Sequence, residues 1–140
     1  MLDTQGYEVV QRDRGNSAIE LVLTNPPDLI LLDISMPEMD GFEVCQILKD
    51  NSLTKDIPII FISALREIQD KIQAFEIGGD DYITKPFNIR EVLLRVKKQL
   101  ANYRLRAELK TINCRLQQEN NDLLETEDKL LLLIENMINS

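Results

Sequence analysis

The chain has 140 residues, 44% hydrophobic and 29% charged, which is enough for one globular domain with a core but not for two sizeable domains. A net charge of −8 argues against a nucleic-acid-binding surface, which needs clustered Lys and Arg. With no leader pattern, no apolar run of about 18 residues, no histidine and only two distant cysteines, we expect a reduced, cytoplasmic protein without membrane contact.

The N-terminal third predicts a strand, a helix and a second strand. Residues 7–11 have the pattern of a short strand, and residues 17–24 that of an amphipathic helix, which the prolines in residues 25–28 end. The apolar run 29–32 then leads directly into Asp33. Such a run is typical of a strand buried on both faces, as in a parallel sheet covered by helices.

The middle of the chain repeats this alternation. Asp40 is a predicted N-cap for a helix over residues 41–49, and residues 57–62 form a second buried strand that ends at Ser63. Further elements are a helix over residues 68–77 and a short strand over 82–84, which ends at Lys85. Alternating strands and helices predict an α/β fold with helices on both faces of the sheet.

The last helix begins at Asn88, where Glu91 three residues later resembles a capping box. Neither proline nor glycine occurs from Asn88 to Ser140, so the helix is free to continue for about 50 residues.

Three polar residues follow the three apolar strands: Asp33, Ser63 and Lys85. Because the carboxyl ends of parallel strands form the ligand crevice, we expect these side chains to converge. A carboxylate beside a hydroxyl and an ammonium group suits phosphoryl transfer, with the carboxylate as nucleophile. The simpler interpretation is a salt bridge between Asp33 and Lys85.

The sequence around these residues resembles that of bacterial receiver domains. Leu32-Asp33-Ile34-Ser35-Met36-Pro37-Glu38-Met39-Asp40-Gly41 is similar to the phosphoacceptor loop of that family. Residues 59–64, 78–82 and 85–87 match its later segments in the correct order, so the resemblance covers about residues 6–100. It implies a flavodoxin-like parallel sheet.

The resemblance also implies roles for individual residues. Asp33 would accept a phosphoryl group from a histidine kinase or phosphotransfer protein, and the Ser35 backbone carbonyl would, with Asp33, help to hold Mg²⁺. Ser63 and Lys85 would bind the phosphoryl oxygens.

Two further positions resemble the switch of the family. Tyr82 lies at the position of its rotating aromatic residue, although a buried structural tyrosine is an open alternative. Pro86 is similar to the cis proline of the family, and an ordinary trans proline that opens the next helix is the competing interpretation.

The chain has no counterpart to the first strand of the family or to the acidic pair that completes its Mg²⁺ site. That strand would lie in the middle of the order 2-1-3-4-5, and most of the first helix is missing with it. Residues 7–11 would then pair with residues 29–33, or a partner chain would supply a strand, or the two segments would stay apart. Mg²⁺ binding is expected to be weak or absent.

The C-terminal segment carries a heptad repeat. The first seam position is apolar throughout, with Leu109, Leu116, Leu123, Leu130 and Met137; the second, with Leu105, Ile112, Glu119, Thr126 and Leu133, is broken twice. This pattern favours a parallel, dimeric coiled coil through residues 105–137, with a like-charge contact between Asp122 and Glu127. The alternative is an amphipathic helix folded back on the globular part.

We therefore expect a receiver domain in residues 1–100 and a coiled-coil signalling helix in residues 101–140, with an output domain beyond Ser140. The chain would not itself be an enzyme. A receiver-like dimerisation module that is never phosphorylated is the alternative function. A flavin- or nucleotide-binding domain is disfavoured, since no glycine-rich phosphate loop follows a strand.

Overall fold

The computed structural model describes residues 6–139. In chain order its elements are α1 (Gly15–Thr24), β1 (Ile30–Asp33), α2 (Gly41–Asp50), β2 (Ile59–Ser63), α3 (Ile68–Glu76), β3 (Asp81–Thr84) and α4 (Ile89–Asn139). The chain divides into two compact units between Tyr103 and Arg104.

The three strands form one parallel sheet in the order β1-β2-β3. In the register, Leu32 lies beside Phe61, and Phe61 beside Tyr82. The parallel sheet with alternating helices confirms the α/β prediction. The apolar runs 29–32 and 57–62 overlap β1 and β2, although β2 begins two residues later than predicted and both strands include the polar residue that follows the run.

Helices cover both faces of the sheet, as predicted. On one face Ile59 and Phe61 of β2 pack with Val44 and Leu48 of α2 and with residues of α1 and α3. On the other face, Ile60 and Ile83 pack against the first turns of α4. Because successive strand residues point to opposite faces, the unbroken apolar run of β2 supplies both cores.

Helix caps and one ion pair fix the elements around the strand ends. The Asp40 carboxylate accepts a hydrogen bond from the Glu43 N–H at 2.9 Å, which confirms the predicted cap of α2. Asn88 accepts from the Arg90 N–H at the start of α4. Arg95 of α4 donates to both oxygens of Asp81 at 2.8 and 2.9 Å, and this hydrogen bonding raises the pKa of its guanidinium.

The prediction of a strand over residues 7–11 is wrong. This segment is irregular, and Val10 is 51% exposed, although Tyr7 packs against the α4 side of the core. A strand pattern becomes a strand only with a hydrogen-bonding neighbour, and within residues 6–139 β1 pairs with β2 alone.

The second unit, from Arg104 onward, is the remaining part of α4. Every residue from 104 to 139 is exposed, including the large apolar side chains of the heptad positions. None of the helices in residues 6–139 combines the length and apolar character needed to cross a bilayer. Thirteen of the exposed side chains in this unit are leucine, isoleucine or methionine.

Candidate functional site

The parallel register brings the three predicted site residues to one edge of the sheet. Asp33 and Ser63 are the last residues of β1 and β2, and Lys85 follows the last residue of β3. The Lys85 N–H donates to the Ser63 carbonyl at 2.8 Å, which extends the pairing of β2 and β3 by one residue. All three backbones therefore end together.

Asp33 and Lys85 are in direct contact. The Lys85 ammonium Nζ lies 2.7 Å from Asp33 Oδ2, and the two side chains are 41% and 38% exposed. The other carboxylate oxygen, Oδ1, accepts a hydrogen bond from the Ser35 N–H at 3.0 Å. The salt bridge left open by the sequence is thus present, and the carboxylate still faces solvent from which a reactant could approach.

Close backbone packing holds the loop after Asp33. The Gly41 N–H donates to the Ile34 carbonyl at 2.8 Å. A Cβ on Gly41 would lie only 2.5 Å from the Asp33 carbonyl oxygen and 2.8 Å from the Ile34 Cα. Only glycine fits where α2 begins against the backbone of Asp33 and Ile34.

Ser63 is near the site, but its hydroxyl is engaged elsewhere. The side chain is buried, and its oxygen accepts a hydrogen bond from the Leu65 N–H at 3.1 Å. Within residues 6–139 no hydrogen bond joins Ser63 to Asp33. Its O–H can still turn to an incoming oxygen, since accepting a bond from Leu65 does not use the hydroxyl proton.

Tyr82 is buried and contacts the same backbone residue. Its hydroxyl donates to the Leu65 carbonyl at 2.9 Å. Burial raises the pKa of this phenol, an effect opposed by the Ser63 hydroxyl and reinforced by the charge of Asp70. Ser63 and Tyr82 thus hold Leu65 from both its N–H and its carbonyl, a feature that sequence analysis missed because it involves backbone atoms.

The Lys85–Pro86 peptide bond is cis, as the resemblance implied. Beside it lies a shallow depression lined by Arg66, Lys71, Thr84, Lys85 and Pro86. Arg66 also donates to the Lys85 carbonyl at 3.2 Å. The lining has three cationic side chains and no acidic one, so the depression suits an anion. Sequence analysis did not identify Arg66 and Lys71, because exposed charged residues are common on loops and helices.

The described residues do not by themselves make a magnesium site. Asp33 supplies one carboxylate, and the Ser35 carbonyl is the only other predicted ligand. No group of three or more acidic, cysteine or histidine side chains is placed to hold a metal within residues 6–139. Magnesium prefers six oxygen ligands, so this pair alone would leave most of its shell to water.

Comparison with known proteins gives one consistent family. The model of the response regulator receiver domain matches residues 1–97. The DNA-binding dual master transcriptional regulator RpaA of Synechocystis is 48% identical over 99 residues, which are 71% of this chain and 41% of that protein. The phosphate regulon regulatory protein PhoB of Pseudomonas aeruginosa is 44% identical over 71% of this chain and 43% of its own length. The chain thus spans about two fifths of these curated relatives.

Solved structures agree. The signal receiver domain of a signal transduction histidine kinase from Syntrophus aciditrophicus is 35% identical, with a TM-score of 0.67, over 72% of this chain and 76% of its own. The receiver domain of the Francisella response regulator 1452 is 34% identical, with a TM-score of 0.67, over 71% of this chain and 81% of its own.

Proposed function

Because this chain belongs to the response regulator receiver family of two-component systems, we propose that Asp33 accepts a phosphoryl group from a histidine kinase or phosphotransfer protein. The observation that carries the proposal is the half-exposed Asp33 carboxylate at the sheet edge, with the Lys85 ammonium 2.7 Å away. The conformational change that phosphorylation causes would pass through a dimeric helix to an output domain. The chain itself would be a signalling module in the cytoplasm, not an enzyme.

The proposed chemistry is a transfer between two nucleophiles. An Asp33 carboxylate oxygen attacks phosphorus, a P–O bond forms, the P–N bond to the donor histidine breaks, and its electron pair returns to the imidazole nitrogen. The charge on the phosphoryl oxygens grows beside Lys85, which exchanges its contact with Asp33 for one with the new phosphate. The Ser63 hydroxyl donates a hydrogen bond to a second oxygen.

Tyr82 and Pro86 are the proposed switch positions. Movement of Ser63 toward the phosphate would release its hydrogen bond from the Leu65 N–H, leaving Tyr82 as the remaining side-chain contact of that residue. The loop between β2 and α3 would shift with it.

Magnesium would normally accompany this chemistry in the family. With Asp33 and the Ser35 carbonyl as the only ligands among the described residues, we propose that the metal binds weakly to this chain. No step above is assigned to it.

The second unit is the proposed route to a partner. Residues 105–137 would pair with a second copy of the chain. The leucine, isoleucine and methionine side chains at the heptad positions are between 46% and 75% exposed, and such a pairing would bury them. The overall charge of −8 leads us to propose that this chain does not bind nucleic acid. DNA binding is named for the relative RpaA as a whole protein, of which the chain covers 41%.

A second candidate function is a dimerisation module that is never phosphorylated. The sparse metal ligands favour it, as does the engagement of both Asp33 oxygens. Under this alternative, the Asp33–Lys85 pair is only a salt bridge.

Intact mass spectrometry after incubation with acetyl phosphate and MgCl₂ separates the two functions. The proposal predicts one added phosphoryl group, absent from Asp33→Asn and retained by Asp56→Asn, which alters an exposed aspartate away from the site. Equal labelling of both variants, or no labelling where an ordinary receiver domain reacts, would support the dimerisation module instead.

A further inference from the structure

The second unit carries its charge in two opposite blocks. Residues 104–118 contain four basic side chains and one acidic, whereas residues 119–139 contain six acidic side chains and one basic. In a parallel pair in register, each block lies beside the same block of the second helix, and the two helix axes are about 8–10 Å apart. This spacing is within about one Debye length at physiological salt, so like charges would repel along the whole pair.

The heptad seam has a symmetry that a parallel pair does not use. Its ten positions are symmetric about residue 121. If a second helix runs antiparallel and is centred on the same residue, each residue at the first seam position therefore packs against a residue at the second seam position of the other helix. The layers are Leu109 with Leu133, Leu116 with Thr126, Leu123 with Glu119, Leu130 with Ile112, and Met137 with Leu105. In antiparallel coiled coils, each layer of the seam usually pairs a residue at the first position with a residue at the second position.

Glu119 distinguishes the two directions most strongly. In a parallel pair its carboxylate faces the same carboxylate of the second copy inside the seam, and Thr126 faces Thr126. In the antiparallel pair, Glu119 packs on Leu123 and Thr126 on Leu116, so each break in the repeat meets an apolar residue. The Glu119 side chain can then lay its methylene groups on the leucine and keep its charge in water.

We infer that residues 105–137 pair with a second copy of the chain in the antiparallel direction, an inference that rests on the proposed pairing of this helix. The basic block of one copy then lies along the acidic block of the other, with Arg115 level with Glu127, and Arg106 level with Asn136, the residue after Glu135. Like charges remain near each other around the centre, where Glu119 lies close to Asp122 of the second copy. They also do so at two outer places, where Glu108 lies beside Glu135 and Arg115 lies two residues from Lys129. Both blocks gain from the reversal, whereas in the parallel pair neither does.

Spin labels on the outer face of the helix measure the direction. Ala107, Cys114 and Asn121 share the heptad position opposite the seam, so labels there do not enter the interface. Cys114 is native and exposed, whereas Cys45 is buried with its pKa raised to about 11 by burial, which keeps that thiol from reacting. The other two labels use Ala107→Cys and Asn121→Cys, each in the full chain with Cys114→Ser.

Pulsed electron paramagnetic resonance then gives the distance between equivalent labels. At a rise of about 1.5 Å per residue, the antiparallel pair offsets the labels along the axis by about 42 Å at position 107, about 21 Å at 114 and close to zero at 121. The inference therefore expects the longest distance at 107 and the shortest at 121. The same distance at all three positions would show a parallel pair and overturn the inference alone. No interspin distance at any position would show a monomer and overturn both the pairing and its direction.

Discussion

Replacing Gly41 with alanine is expected to weaken both the fold and the candidate site. The added Cβ would lie 2.5 Å from the Asp33 carbonyl oxygen, so the two backbones must separate by about 0.9 Å to reach the 3.4 Å of ordinary contact. Both nearest neighbours are backbone atoms, Asp33 O and Ile34 Cα, which cannot rotate away as a side chain would.

Two effects of opposite sign set the magnitude. Alanine favours a helix over glycine by up to about 1 kcal/mol, whereas forcing an extra carbon into a tight site costs about 1–3 kcal/mol. For Gly41→Ala the second effect wins because the backbone must move, and we expect a net loss of about 1–2 kcal/mol in the free energy of unfolding. Labelling of Asp33 by acetyl phosphate should slow as well, because the displaced carbonyl belongs to Asp33, the proposed nucleophile.

Gly15→Ala is the matched control. Gly15 is likewise the first residue of a helix, and a Cβ there would meet Val44 Cγ2 at 2.9 Å, Met39 Cβ at 3.0 Å and Met39 Sδ at 3.1 Å, which are side-chain atoms and stand farther off than the backbone oxygen at Gly41. Urea denaturation should give a midpoint lower by roughly 0.5–1 M for Gly41→Ala, a smaller change for Gly15→Ala, and slower labelling for Gly41→Ala only. A Gly41→Ala protein as stable and as reactive as the parent would refute the close approach on which this reasoning depends.

Two further predictions concern ionisable groups. Burial raises the pKa of Cys45 from 9.0 to about 11, against the opposing charge of Lys49. The unfolded thiol therefore ionises first as the pH rises, and stability, fully present below about pH 9, should fall by up to about 2–3 kcal/mol toward pH 11. The urea midpoint of the parent should therefore fall as the pH rises from about 9 to about 11, and this fall should be smaller in Cys45→Ala. An equal fall in both proteins would contradict the raised pKa of Cys45. Lys85→Met should change stability by less than about 1 kcal/mol, because its pair with Asp33 is about 40% exposed. It should nevertheless slow acetyl phosphate labelling roughly tenfold or more, and unchanged labelling would remove Lys85 from the site.

The sheet could be predicted from the sequence because its strands are buried on both faces. The run Ile59-Ile60-Phe61-Ile62 has no polar interruption and is followed by Ser63, so periodicity and the strand end are both visible in the sequence. Asp40 was predicted as a cap for the same kind of local reason, since its carboxylate bonds a backbone N–H only three residues away.

Residues 7–11 show where local pattern fails. Tyr7, Val9 and Val10 are residue types that favour strands. A strand nevertheless exists only through hydrogen bonds to another strand, and that information is not local. The same limit applies to the site. The contact between Asp33 and Lys85 could be predicted from the order of the strands. The hydrogen bonds of Ser63 and Tyr82 to the Leu65 backbone could not, because they depend on how the loop after β2 folds.

The central claim is that the Asp33 carboxylate forms an acyl phosphate. Reduction of the acetyl phosphate-treated protein with borohydride converts an aspartyl phosphate to homoserine, which peptide mapping locates to a single residue. The account predicts homoserine at position 33 and at no other aspartate, including the nearby Asp40. Incorporated phosphate that leaves Asp33 unchanged, or homoserine at another position, would contradict it.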